Sequence, residues 1–178
     1  MSGALQGLRV LDLSRILAGP LVGQMLGDMS AEVFKIERPG KGDDAREMGP
    51  PFLAREDGSD TTTAGFYLAC NRNKKSVAID LSQEAGQALV RKLARTCDVV
   101  IENFKVGTLA RYGLDYESLR AENPALVYCS ITGFGQTGPL AKKPGYDGIF
   151  QAMGGMMSVS GQPEGAPGAG PMKVGISI

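Results

Sequence analysis

The chain has 178 residues, 43% of them hydrophobic and 21% charged, with 19 basic side chains against 19 acidic ones and no histidine. That length suffices for one domain with its own core, and the even charge balance suggests no nucleic acid or membrane partner. Without histidine, these residues offer no Ser-His-Asp or Cys-His catalysis and no histidine-ligated metal, so an acid, base or nucleophile here must be a carboxylate, Lys, Tyr, Ser or Cys.

Leu8 to Leu13 reads as a first strand. Pro20 then suits the first turn of a helix. Gly19, Gly23 and Gly27 recur at four-residue spacing, which gives that helix a bare face for close packing. Glu32 to Ile36 is a second strand, so the three elements have the size of a βαβ unit. Gly40 to Thr63 is polar and turn-rich and is expected to be a long surface loop. Ser76 to Leu81 forms a third strand. Ser82 is the expected N-cap of a helix reaching Arg95, with Ala85, Leu89, Leu93 and Ala94 on its apolar side. Asp98 to Ile101 is short and apolar, as a buried parallel strand is. Short helices from Gly107 and Asp115, a strand from Leu126 to Ile131 and a helix from Tyr146 to Met157 complete the series. This alternation predicts an α/β fold with a mostly parallel sheet.

Seven of the eleven residues from Gly161 to Pro171 are Gly or Pro, and Met172 to Ile178 then turns apolar. This reads as the start of a strand with no continuation, and therefore as a fragment of a longer chain. Cys70, Cys97 and Cys129 form no C-x-x-C pair and sit among apolar residues, so buried thiols are expected, with no disulfide and no metal site. No stretch is long and apolar enough to span a bilayer. Met1 to Leu5 shows no secretory pattern, and a cytoplasmic setting is expected.

Gly133-Phe134-Gly135-Gln136-Thr137-Gly138 matches G-x-G-x-x-G after a strand. A dinucleotide fingerprint needs its last glycine inside a starting helix and an acid about twenty residues on. Here Pro139 and Lys142-Lys143-Pro144 follow, and Glu164 lies in the Gly/Pro-rich stretch, so the motif is read as a turn and no nicotinamide site is expected. Pro39-Gly40-Lys41-Gly42 lacks Walker A spacing.

In open α/β sheets, ligands bind outside the carboxyl ends of the strands. Arg38 follows the second strand, where a cation suits a phosphorylated ribose. Asn103, Phe104 and Lys105 follow the fourth, Arg111 the next short helix, and Lys142 and Lys143 the fifth strand. Singly, each is as well read as solvated charge. Together they suit a ligand with several phosphates and a purine.

The stretches Leu11 to Pro20, Val33 to Pro39, Asn71 to Ser76, Glu102 to Phe104, Gly113 to Tyr116, Gly133 to Pro139 and Gly145 to Asp147 resemble, in order and spacing, the family III CoA-transferases (CaiB/BaiF-like), from about Leu5 to Ile178. The resemblance implies a Rossmann-like sheet with flanking helices. Residues 1–160 would be the N-terminal portion of the large CoA-binding domain, and 161–178 a linker and the start of the strand leading to a catalytic aspartate. The complete chain would add a smaller second domain and form an interlinked homodimer. Coenzyme A contacts would fall on Leu17, Ala18, Arg38, Ile79 to Ser82, Asn103, Phe104, Lys105, Arg111, and Lys143 to Asp147, including Tyr146. The family's lysine near this last region aligns with Pro144, one place from Lys143. No permanent cofactor is implied. Acyl-CoA and a carboxylic acid are the substrates, exchanged through an aspartate expected shortly after Ile178. The alternatives are the related α-methylacyl-CoA racemases, which carry histidine at the position of Tyr146, and a noncatalytic CoA-binding fragment.

Overall fold

The central strands bury consecutive residues, toward both faces of the sheet. In the computed structural model, which describes residues 3–175 and Ser177, the chain runs β1 (Arg9–Asp12), α1 (Ala18–Asp28), β2 (Glu32–Glu37), β3 (Phe52–Ala54), β4 (Asp60–Ala64), α2 (Gly65–Asn71), β5 (Lys74–Ala78), α3 (Glu84–Ala94), β6 (Val99–Glu102), α4 (Tyr116–Glu122) and β7 (Val127–Ser130). These belong to the first of two compact units, which divide after Ile131. Five strands pair in parallel in the order β5-β2-β1-β6-β7. Counted within the sheet this is 3-2-1-4-5, the order of doubly wound folds, with its switch point between β1 and β6. Val10 and Leu11 are adjacent in β1 yet belong to different buried clusters. Val10 joins Val33 and Ile101, with Val22 and Leu26 of α1 packed against them. Leu11 joins Ile36, Val100, Val90 and Leu119. Both sheet faces are therefore covered, as a parallel sheet requires.

The bare face of α1 is real. A Cβ on Gly19 would lie 2.2 Å from Ser14 Cβ, and one on Gly23 would lie 2.7 Å from Asp12 Oδ2. The buried face of α3 is Gly86, Val90 and Ala94: of the expected residues Ala94 is buried and Leu93 packs against the core, while Ala85 and Leu89 are exposed and Gly86 and Val90 take their place. The shift follows from Gly86, where a Cβ would meet the Asp80 carbonyl at 2.0 Å. Ser82 is not the N-cap of α3; that is Gln83, and the Ser82 hydroxyl donates to Asp80 instead. The expected loop over Gly40–Thr63 contains a 3-10 turn (Asp44–Glu47) and the antiparallel hairpin β3–β4, followed directly by α2.

The second unit holds α5 (Asp147–Met153), α6 (Met156–Val159) and the two-residue pair β8 (Gly161–Gln162) with β9 (Gly170–Pro171). The expected helix over 146–157 is broken at Gly154 and Gly155, the latter at φ 79°. Gly133 and Gly145 lie back to back, where a Cβ on Gly133 would be 2.6 Å from the Gly145 Cα. The G-x-G-x-x-G stretch runs as bends into a turn, and no helix begins before Asp147. Met172–Gly175 is irregular, and the rest of the expected final strand includes Ile176 and Ile178, outside the described residues. Cys70 and Cys97 are buried and Cys129 is half buried; all three are free thiols, pushed up in pKa by burial. Among the described residues no helix is long and apolar enough to cross a membrane.

Candidate functional site

All five parallel strands end on one edge of the sheet, and the chain leaving β1 makes a strained turn there. Ile16, a β-branched residue, has φ 72°, a region such side chains avoid at a cost of roughly 1–3 kcal/mol. The surroundings hold it from several sides. Arg15 N–H donates to Asn103 Oδ1 at 2.8 Å, and Asn103 Nδ2 donates back to the Arg15 carbonyl at 2.7 Å. Ile16 N–H donates to Asp43 at 3.1 Å. Lys35, buried mid-strand in β2, donates to the Ser14 carbonyl at 2.9 Å and pairs with Asp43 at 2.8 Å. Asp43 also caps the 3-10 turn through Ala45 N–H. The turn is thus fixed to β2, to the segment after β6 and to the loop after β2 at once.

Glu37 ends β2 and fixes the same loop. Its carboxylate accepts from Arg46 at 2.8 and 2.9 Å, from Tyr67 at 2.7 Å, from Ser76 at 2.8 Å and from Asp43 N–H at 3.0 Å. Burial pushes its pKa up, but the bonds from Arg46, Tyr67 and Ser76 outweigh this and hold it at about 2, against an ordinary 4.5. A carboxyl lowered on folding adds stability above its unfolded pKa and loses it as pH falls through its folded one. The window here runs from about 4.5 down to about 2. Urea unfolding across that window should lose roughly 3 kcal/mol through this group, and Glu37→Gln should flatten the acid limb. An unchanged acid slope in the variant would show that Glu37 does not govern it.

Between these strand ends lies a groove of about 650 Å³, its open mouth included. Leu13, Ile36, Ile79, Leu81 and Phe104 supply apolar walls, and Arg15 and Arg38 line it as cations. The Arg15 guanidinium stands 5.3 Å from the Phe104 ring centre. Arg15 and Arg38 converge on Asp44, Arg15 at 3.2 Å, and Lys41 reaches the same carboxylate at 3.5 Å. Burial opposes ionisation of Asp44, but Arg38 and Arg15 outweigh it and hold the pKa below the ordinary value. Apolar walls and convergent cations suit an anionic ligand that also carries an apolar or aromatic part.

The groove brings together Arg38, Ile79 to Ser82 and Phe104 of the residues expected from sequence. Leu17 and Ala18 lie at the start of α1, directly after the strained turn. Asn103 is adjacent, but its amide is engaged with the Arg15 backbone. Lys105 and Arg111 are exposed on the following segment, outside the groove lining. Lys143, Tyr146 and Asp147 belong to the second unit, where Lys143 and Tyr146 are exposed and Asp147 pairs with Lys173 at 2.7 Å. Sequence reasoning missed Arg15, Lys35, Asp43 and Asp44. One signal was available: a lysine in an apolar strand covered on both faces must have an acidic partner.

Comparison with known proteins decides the family. The sequence profile of CoA-transferase family III matches residues 5–178. The chain belongs to CoA-transferase family III. Its relatives include a succinate–glutarate CoA-transferase of Agrobacterium fabrum, 57% identical over 98% of this chain and 42% of the relative. A human succinyl-CoA:glutarate CoA-transferase is 46% identical over 92% of this chain and 36% of the relative. An acetyl-CoA:oxalate CoA-transferase of Acetobacter aceti is 43% identical over 93% and 40%. The crystal structure of a CaiB/BaiF family protein from Brucella suis superposes with a TM-score of 0.90 at 52% identity, covering 99% of this chain and 45% of that one. This family III chain therefore spans about two fifths of the length of the curated relatives it matches.

Proposed function

We propose that this chain carries the CoA-nucleotide site of a transferase that moves CoA from an acyl-CoA donor to a carboxylic acid, with short dicarboxylates as the substrate class. Family membership carries this reading, and the relatives named for succinate, glutarate and oxalate supply the substrate class. The groove supports the binding half of it. Arg38, with Arg15 beside it, would take the ribose phosphate, Phe104 would flank the adenine, and Ile79 and Leu81 would pack against the apolar part. Leu17, Ala18, Asn103, Lys105, Arg111, Lys143, Tyr146 and Asp147 remain assigned to the CoA path, Asn103 by fixing the turn. The protein would act in the cytoplasm as an interlinked homodimer.

The exchange would run through an aspartate C-terminal to Ile178. Its carboxylate attacks the donor thioester and expels the CoA thiolate, giving a mixed anhydride. The thiolate returns to the aspartyl carbonyl and releases the donor acid, leaving an aspartyl-CoA thioester. The acceptor carboxylate then attacks that thioester, again expelling the thiolate, which takes the acceptor's acyl carbon and frees the aspartate. Covalent capture divides one hard exchange into easier ones, and binding along the distant nucleotide helps to position the thioester.

The test is an assay of the full protein with succinyl-CoA and glutarate. Formation of glutaryl-CoA, with inactivation when hydroxylamine is present during turnover, is the expected result. No acyl exchange, with rapid deuterium uptake into a 2-methylacyl-CoA in heavy water, would instead give the racemase chemistry.

Arg38→Ala should weaken CoA binding by about 1–3 kcal/mol, the range for a charge-assisted hydrogen bond. The same substitution should change the affinity for 3′-dephospho-CoA much less. Equal losses for both ligands in calorimetry would remove Arg38 from the ribose phosphate.

A further inference from the structure

The cations of the groove already hold an anion. Asp44 opens the 3-10 turn Asp44–Glu47, and its side chain is 31% exposed. One oxygen accepts from Arg38 and lies near Lys41; the other faces Arg15. Among the described residues, Arg15 and Arg38 have no other ion-pair partner. The adjacent acid cannot share the role, because the Asp43 carboxylate is buried against Lys35 and the backbone N–H groups of Ile16 and Ala45. Arg15 and Arg38, both a little under half exposed, keep free guanidinium edges toward solvent.

We propose that Asp44 is an exchangeable counter-ion, a residue that sets the affinity for CoA by holding the cations its ribose phosphate takes. This rests on the CoA reading above. A phosphate offers more charge and more acceptor oxygens than a carboxylate, and guanidinium forks match it well. As the phosphate enters, Arg38 and then Arg15 turn from Asp44 to the ligand, and the carboxylate, left with Lys41 alone, stands beside a second anion. That repulsion opposes binding and favours release. In the empty groove the same carboxylate stops the two guanidiniums repelling each other.

The opposite assignment, in which Asp44 only positions the arginines, predicts the opposite sign. Calorimetry with CoA and with 3′-dephospho-CoA, on the parent and on Asp44→Asn, separates the two. The variant should bind CoA about 5–20-fold tighter, the size of one removed charge repulsion at partly solvated range, and 3′-dephospho-CoA less than about twofold differently. The CoA affinity of the variant should also fall more steeply with salt. Asp44→Ser removes the same charge and gives an independent reading should the Asn variant fold poorly. Unchanged or weaker CoA binding by both variants, with the parent binding CoA, overturns the counter-ion and leaves the CoA site standing. Failure of the parent to bind CoA at all removes the site, and the counter-ion with it.

Discussion

Asp43→Ala is expected to destabilise the protein by about 3–5 kcal/mol, the loss seen when one partner of a buried ion pair is removed. Lys35 and Asp43 are each 1% exposed at the side chain and lie 2.8 Å apart. Among the described residues, truncating the acid leaves the ammonium with only the Ser14 carbonyl for a partner. It also frees the N–H groups of Ile16 and Ala45. The strained Ile16 turn should therefore loosen, and CoA affinity should fall with stability. Urea unfolding gives the stability, and the double variant Lys35→Met, Asp43→Ala should recover part of the loss because no buried charge is then orphaned. A loss under about 1 kcal/mol would mean that the pair is solvated in solution.

Asp12→Asn should cost a similar amount, about 3–5 kcal/mol. Asp12 ends β1 fully buried and pairs at 2.9 Å with Lys74, the first residue of β5, whose side chain is 2% exposed. Burial pulls the Lys74 pKa down, and Asp12 resists that pull. With the charge of Asp12 gone, the Pro20 carbonyl and Asn71 Oδ1, both neutral, are the other partners of the ammonium among the described residues. Lys74 should then lose its proton more readily, and the variant should regain stability as pH rises. A variant equally unstable from neutral to alkaline pH would show that Lys74 stays charged without its partner.

The sheet was legible in the sequence because its strands are mostly short apolar runs separated by helical ones, and all five formed within three residues of the expected limits. The glycine face of α1 was equally legible, since repeated glycines in a helix need a packing reason. The hairpin and α2 were not. The stretch from Gly40 to Thr63 is mostly polar, and local pattern cannot distinguish polar residues facing water from Asp43 and Arg46, which turn inward to Lys35 and Glu37. Those partners are fixed only once β2 is in place. For the same reason Arg38 was expected at its strand end, while Asp44, the acid that holds it, was not. Arg38 and Phe104 line the groove as the strand-end rule predicts. Asn103 obeys the rule in position, but its amide is engaged with the Arg15 backbone, a long-range pairing that no local signal announces.

The central claim is that the groove at the carboxyl ends of β1, β2, β5 and β6 receives CoA. Amide hydrogen exchange, measured on the protein with and without saturating CoA, locates the ligand without a substitution. Protection is predicted at Leu13–Ala18, Ile36–Asp44, Ile79–Ser82 and Glu102–Lys105, with 3′-dephospho-CoA protecting Ile36–Asp44 less than CoA does. Saturable CoA binding with none of these four segments protected would contradict the claim.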